Sequence, residues 1–252
     1  MANVRAMVLR TAGTNCDQET LHALRLAGAT PDLVHVNALI AGQVRLEAYR
    51  ILVIPGGFSY GDDIAAGKLL ANELRFRLGE PLKNFIAQGR IVIGICNGFQ
   101  VLVKTGFLPE SSDGQQVATL AANDSGRFQC HWVRLKREKS ACTWLNSTDN
   151  EWELPIAHGE GKFMTQDDKT LRALEKNGQV VFRYVGNNPN GSVRSIAGIC
   201  NKQGNVVGLM PHPERHIRGG QHPEWTRHGW GAAEGVGLQM FQSAVDYAGR
   251  LS

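Results

Sequence analysis

Residues 91–100 constrain this chain more than any other stretch: Ile91-Val92-Ile93-Gly94-Ile95-Cys96-Asn97-Gly98-Phe99-Gln100. Arg90–Ile95 is an almost continuous β-branched apolar run, the pattern of a central strand buried on both faces. Asn97–Thr105 reads as a helix, so strand and helix meet at Cys96. Glycine stands two residues before and two after that nucleophile, giving G-x-C-x-G, the cysteine counterpart of the nucleophile elbow. Such a turn is tight and puts the nucleophile at strained backbone angles. Side chains at Gly94 or Gly98 would collide with the adjoining elements. The sulfur would stand at the carboxyl edge of the sheet, where open α/β sheets place their sites. The helix N-terminus lowers a thiol pKa there, and the Asn97 N–H faces a developing oxyanion. A buried structural cysteine at a strand end is the plainer reading, and the paired glycines weigh against it.

The rest of the first half alternates. Strands are expected at Val4–Leu9, Leu33–Val36 and Arg50–Ile54, the last ended by Pro55-Gly56-Gly57. Helices are expected at Asp17–Ala27 with a stop at Gly28, at Ile64–Leu78, and at Pro81–Gln88 with a stop at Gly89. This implies an α/β fold with a mostly parallel central sheet and helices on both faces. In the second half Phe128–Leu135, Val180–Tyr184, Val193–Cys200 and Val206–Met210 read as strands, some of them antiparallel across short turns. A last helix is expected at Gly235–Tyr247. Segments 111–126 and 216–233 read as long loops.

Composition narrows the function classes. At 252 residues, with 42% hydrophobic and 20% charged, the chain is long enough to bury a core without staples. One domain over 1–252 is the expectation. A net charge of +4, from 27 basic against 23 acidic residues, shows no basic stripe, so no nucleic-acid partner is expected. No apolar run approaches the ~20 residues that span a bilayer, and Met1 to Leu9 is too short and mixed for a signal peptide. No membrane association and a cytoplasmic location are therefore expected. The five cysteines lie far apart with no C-x-x-C pair, so neither a disulfide framework nor structural zinc is expected.

A cysteine nucleophile needs a base. The best candidate is His212 in Val206-Val207-Gly208-Leu209-Met210-Pro211-His212-Pro213-Glu214-Arg215. It follows an apolar run between two prolines, whose fixed φ angles stiffen the segment. Glu214 can accept from the imidazole and set its tautomer, completing a Cys96-His212-Glu214 triad. By itself His212 reads equally well as a hydrogen-bonded turn residue. A third element, Ile54 to Asp63, ends a strand in Gly56-Gly57, whose N–H groups suit the other half of an oxyanion hole. It matches neither phosphate-binding glycine pattern, so ATP binding by this chain is not expected.

These elements in this order resemble the class I (triad) glutamine amidotransferases. Thr14 to Asp17, Pro55 to Asp62, Gly94 to Gln100, Ala157 to Gly161, Asn188 to Ser192 and Met210 to Arg215 narrow the resemblance. They look like the glutaminase subunits of phosphoribosylformylglycinamidine synthase in its small-subunit form. The resemblance covers nearly the whole chain and implies a flavodoxin-like amidotransferase fold. It also implies that Cys96 attacks the side-chain amide of glutamine, that His212 shuttles the proton, and that Glu214 orients His212. Water then hydrolyses the thioester, and ammonia passes to an ATP-dependent synthetase. There formylglycinamide ribonucleotide becomes the formylglycinamidine, a step of purine biosynthesis. By position, backbone groups of Gly57 and Asn97 match oxyanion donors and Gln100 a residue holding glutamine. Residues Asn123 to Phe128 match the loop gripping its amino-acid end, where the fork of Arg127 suits a carboxylate; a solvated surface arginine is the alternative. The implied partners are a large synthetase subunit and a small bridging subunit. No cofactor is implied in this chain, while ATP and magnesium are used by the synthetase.

Other readings stay open at this point. A cysteine hydrolase or peptidase on a related elbow scaffold is the alternative function. His158-Gly159-Glu160-Gly161 reads as site lining or partner contact, and Cys16 as a packing or loop residue. His216 to Ala233 looks like extra length, with His222, Trp225, His228 and Trp230. The histidine spacings there fit no standard zinc set, so no metal is expected. Its aromatics suit contact with a partner or a second copy.

Overall fold

The computed structural model describes residues 3–62, 65–110 and 115–251. In chain order the elements are β1 (Arg5–Arg10), α1 (Asp17–Leu26), β2 (Thr30–His35), α2 (Val36–Ile40), β3 (Ile51–Ile54), α3 (Lys68–Arg77), α4 (Gly79–Ala87), β4 (Ile91–Ile95), α5 (Asn97–Thr105), β5 (Ala118–Ala121), β6 (Gln129–Arg137), β7 (Glu151–His158), β8 (Lys162–Thr165), α6 (Asp168–Lys176), β9 (Val180–Tyr184), β10 (Ile196–Cys200), β11 (Val206–Leu209), α7 (Trp225–His228) and α8 (Leu238–Gly249). Short 3-10 turns join several of them.

Among the described residues, nine strands form one sheet in the order β2-β1-β3-β4-β11-β10-β9-β6-β7. The first five run parallel to one another. From β11 onward each pairing is antiparallel. Every residue of β3, β4 and β11 is buried, as a strand covered on both faces requires. Backed by α3, α5 packs over β3, β4 and β11, while α1 and α8 pack together against β1 and β3 on the other face. The expected α/β sheet with helices on both faces is what forms, and its antiparallel strands are those of the second half. β5 and β8 make a separate two-stranded sheet beside α5. No helix among the described residues is long and apolar enough to cross a membrane.

Boundaries moved for local reasons. β2 starts at Thr30, because Thr30 to Asp32 pair with Arg5 to Met7. It stops before Val36, where the His35 ring accepts from the Asn37 N–H and opens α2. Of the helix expected from Ile64, that residue lies outside the described ones, and α3 begins at Lys68 behind a left-handed Gly67. β10 starts at Ile196, since Arg194 and Ser195 take positive φ. Elements not foreseen are α2, β5, β7, β8, α6 and α7. β5 falls in the stretch read as the loop 111–126, of which residues 111–114 lie outside the described ones.

The neighbouring strands β3, β4 and β11 end at the same edge of the sheet. That shared edge brings Gly56-Gly57, Cys96 and His212 together.

Candidate active site

Cys96 takes φ 51° and ψ −106° between β4 and α5. An L-residue reaches that region only when its surroundings impose it, and here the packing of α5 on the sheet does so. A Cβ built on Gly98 would lie 1.8 Å from the Ile54 carbonyl oxygen, and one on Gly94 would lie 2.6 Å from the Gly98 oxygen. One on Gly208 would enter the Phe99 ring at 2.1 Å. Glycines on three elements thus let the helix start directly on the strands. The Cys96 N–H donates to the Leu209 carbonyl at 2.8 Å, fixing the elbow to β11.

His212 follows β11, and its N–H donates to the Pro155 carbonyl of β7 at 2.9 Å. Its Nδ1 lies 2.6 Å from Glu214 Oε1, with both side chains buried. Nδ1 therefore carries the proton, and the buried Nε2 has no hydrogen-bond partner. A Cβ on Gly56 would lie 2.8 Å from His212 Cε1 and 3.4 Å from Cys96 Cβ, so the imidazole and the Cys96 side chain both lie against that glycine. Burial pulls the His212 pKa down, but the Glu214 carboxylate and the neighbouring thiols outweigh it and hold it well above the ordinary value. The Cys96 Sγ also lies 3.7 Å from the Ala157 carbonyl of β7.

Gly57 has φ +144°, and a Cβ there would lie within 2.9 Å of three backbone atoms of Gly13, Thr14 and Asn15. It faces Thr14 across an isolated antiparallel bridge. Gly56 O accepts from Asn15 and Cys16, and the Phe58 N–H donates to Gly13 O. That alternation leaves the Gly57 N–H directed away from residues 13–15, as an oxyanion donor requires.

Asn97 contributes more than the expected backbone N–H. Its Oδ1 accepts from the Ser59 N–H and hydroxyl at 3.2 and 2.6 Å. Its Nδ2 donates to Asp62 Oδ1 and Gln100 Oε1 at 3.2 and 3.0 Å. It thereby holds a loop in which Tyr60, Gly61 and Asp62 are all left-handed. Gln100 is buried, and its Nε2 donates to the Glu160 carbonyl at 2.6 Å, tying α5 to the loop after β7. Much of its hydrogen-bonding capacity is thus used within the protein.

Arg127 is exposed on a turn built around buried Asn123. Asn123 Nδ2 donates to the Arg127 and His158 carbonyls, and its Oδ1 accepts from the Gly161 N–H at 3.1 Å. Asn190 Nδ2 donates to the Gly161 carbonyl at 2.8 Å. Three stretches singled out in the sequence, around 123–128, 157–161 and 188–192, are thus one hydrogen-bonded unit. Phe128 stacks on Phe58 at 6.4 Å between centroids, which sets the Arg127 turn beside the Gly57 loop.

The family described as CobB/CobQ-like glutamine amidotransferase domain matches residues 3–248. The chain belongs to that family. Phosphoribosylformylglycinamidine synthase subunit PurQ of Dehalococcoides mccartyi is 45% identical, over 98% of this chain and 99% of its own. The Methanococcus maripaludis subunit of the same name is 41% identical, over 96% and 97%. A chain of the solved structure of PurLQS from Thermotoga maritima superposes with a TM-score of 0.75 at 33% identity, covering 97% of this chain and 99% of that one. Within the amidotransferases the chain therefore groups with the PurQ subunits, which sets the peptidase alternative aside.

Residues 216–233, read as extra length, lie within the span matched to the D. mccartyi relative. They fold back on the antiparallel end of the sheet rather than standing off it. His216 and His222 are buried, and Trp132 of β6 meets both edge-on at 5.0 and 4.6 Å. Among the described residues the trio with metal-ligand spacing is Cys16, His212 and Glu214, whose donor atoms lie within 4.8 Å of one another. A hydrogen bond already joins two of them, and the Arg215 guanidinium stands 3.1 Å from the sulfur. That cation disfavours a second one there.

His158 ends β7 with Nδ1 at 3.1 Å from Asn123 Oδ1. Burial, and then the charge of His212, lower its pKa from 6.5 to about 4. It is neutral near pH 7. A group favoured neutral in the fold stabilises it fully above pH 6.5, and that contribution is lost as pH falls toward 4. By linkage it amounts to roughly 3 kcal/mol. His212, shifted the other way, contributes with the opposite sign and in the window above 6.5. Denaturant unfolding of wild type and His158→Gln at pH 7.5, 6 and 4.5 isolates the first effect. The stability gap between them should close with acid, and a constant gap refutes the assignment.

Proposed function

We propose that this chain is the glutaminase of phosphoribosylformylglycinamidine synthase, releasing ammonia from glutamine for a separate ATP-dependent synthetase. The observation that carries the reading is a nucleophile at φ 51° beside an imidazole whose other nitrogen is held 2.6 Å from a buried carboxylate. His212 Nε2 takes the Cys96 proton as Sγ attacks the side-chain amide carbon of glutamine. The Gly57 and Asn97 N–H groups receive the oxyanion of the tetrahedral intermediate. His212 returns the proton to the leaving nitrogen, ammonia departs, and a glutamyl thioester remains on Cys96. Water, deprotonated by His212, cleaves the thioester to glutamate and restores the thiol. Throughout, Glu214 holds the imidazole in the Nδ1–H tautomer and stabilises the imidazolium. Arg127, at the rim, pairs with the α-carboxylate of glutamine, and Gln100 holds the substrate through its remaining amide hydrogen.

The ammonia replaces the amide oxygen of formylglycinamide ribonucleotide on the synthetase. A synthetase subunit and a small bridging subunit are the partners, as the PurLQS assembly of the Thermotoga maritima neighbour suggests. ATP and magnesium act on the synthetase, and this chain takes no cofactor. The reading treats residues 1–252 as one cytoplasmic amidotransferase domain.

A diazo-ketone analogue of glutamine tests it. With the synthetase subunits present, mass spectrometry should find one adduct, on Cys96, suppressed by free glutamine. Absence of labelling in the assembled enzyme refutes the glutaminase reading.

A further inference from the structure

The stretch Thr14-Asn15-Cys16-Asp17 takes no part in the glutaminase steps, yet it ends against the catalytic imidazole. Residues 13–16 run along the Gly57 loop, where the Asn15 and Cys16 N–H groups both donate to the Gly56 carbonyl. Cys16 occupies the N-cap of α1, but its side chain makes no capping hydrogen bond. The sulfur turns inward instead, leaving the residue 1% exposed.

There the thiol is fully engaged. It donates to Asn15 Oδ1 at 3.1 Å. It accepts from Arg215 Nη2 at 3.1 Å, and Arg215 is itself anchored to Glu19 of α1 at 3.3 Å. Sγ also lies 3.9 Å from His212 Nδ1, the nitrogen that meets Glu214. Burial pushes the Cys16 thiol above its ordinary pKa, against the pull of His212 and Arg215, so it stays protonated and is no second nucleophile.

We propose that Cys16 is a positioning residue for His212: its sulfur, held in place by Asn15 and Arg215, is a second acceptor for Nδ1–H beside Glu214. Two acceptors on one N–H fix the tautomer and hold the ring against rotation about its Cβ–Cγ bond, keeping Nε2 on Cys96. The inference rests on His212 being the base for Cys96. The groups facing His212 are Glu214 from its own segment, Cys96 from the elbow, Cys16 from the start of α1 and His158 from β7, while Arg215 lies against Cys16 and Glu214.

The test uses the enzyme assembled with its synthetase partners, comparing wild type, Cys16→Ala and Cys16→Ser. Loosening a base without removing it should cost about tenfold in glutamine-dependent kcat, a fraction of what general-base catalysis contributes. KM for glutamine should stay within about twofold, because the sulfur does not touch substrate. The acidic limb of the kcat/KM profile should move to lower pH in Cys16→Ala, since an acceptor that favours the imidazolium is gone. Cys16→Ser keeps an acceptor and should recover most of both changes. Synthesis from added ammonia should be unchanged throughout.

Wild-type kcat and pH profile in Cys16→Ala overturn the proposal. So does an equal loss of glutamine- and ammonia-dependent rates, which marks a general structural role. If Cys16→Ala does not fold, Cys16→Val decides: it fills the site without an acceptor, so it should shift the acidic limb the same way, and an unshifted limb overturns the proposal. Failure of the underlying reading looks different, because wild type then shows no glutamine-suppressible label on Cys96.

Discussion

Cys96→Ser should abolish glutamine-dependent synthesis in the assembled enzyme while leaving synthesis from added ammonia at the wild-type rate. The substitution changes one atom at a buried elbow, so the fold and the interface with the synthetase are retained. A hydroxyl at this position would have to be deprotonated by an imidazole tuned to a thiol, against a much larger pKa gap. Removing the nucleophile from comparable triads costs about a millionfold in kcat, and a fall of at least about a thousandfold is expected here. Parallel assays with glutamine and with ammonium salt measure both rates on one preparation. A glutamine-dependent rate within tenfold of wild type sinks Cys96 as nucleophile. Loss of the ammonia-dependent rate as well assigns the residue a structural task.

The half of the site that chemistry fixes locally was legible in the sequence. Gly94, Cys96 and Gly98 lie within five residues on one strand and one helix, and the apolar run before them identifies a strand buried on both faces. His212 and Glu214 were legible for the same reason, being two residues apart after another buried strand. Long-range polar ties were not. Cys16 meets His212 across 196 residues of chain, and no local pattern indicates which loop will cross the imidazole. The side chain of Asn97 ties down the strained 59–62 loop by bonds to Ser59 and Asp62, invisible until the loop is placed. β7 was missed although Trp152, Leu154 and Ile156 alternate with outward-facing residues. Pro155 argues against a central strand, and the strand is in fact at the sheet edge. The proline carbonyl still has a task, accepting the His212 N–H.

Gly98→Ala should be severely damaging for the addition of a single methyl. The new Cβ would sit 1.8 Å from the Ile54 carbonyl oxygen and 2.7 Å from its carbon, both backbone atoms of a fully buried strand. A tolerable C···O separation is roughly 3.3 Å, so α5 must lift by on the order of 1.5 Å. No side chain can turn away to relieve the contact, unlike Gly208, where the methyl would meet the Phe99 ring. Overpacking against rigid backbone puts the cost at about 3 kcal/mol or more. For a chain of this size that lowers Tm by on the order of 10 °C. The same lift displaces the Asn97 N–H and the Cys96 sulfur. A displacement of about 1 Å can remove a hundredfold of rate, so glutaminase activity should fall by at least that much in whatever folds. Gly79→Ala is the control: its Cβ meets nothing within 4 Å and it opens α4 at ordinary φ, so Tm should hold or rise slightly. If thermal unfolding finds the two variants alike, the close seating of α5 on β3 is not what shapes the elbow.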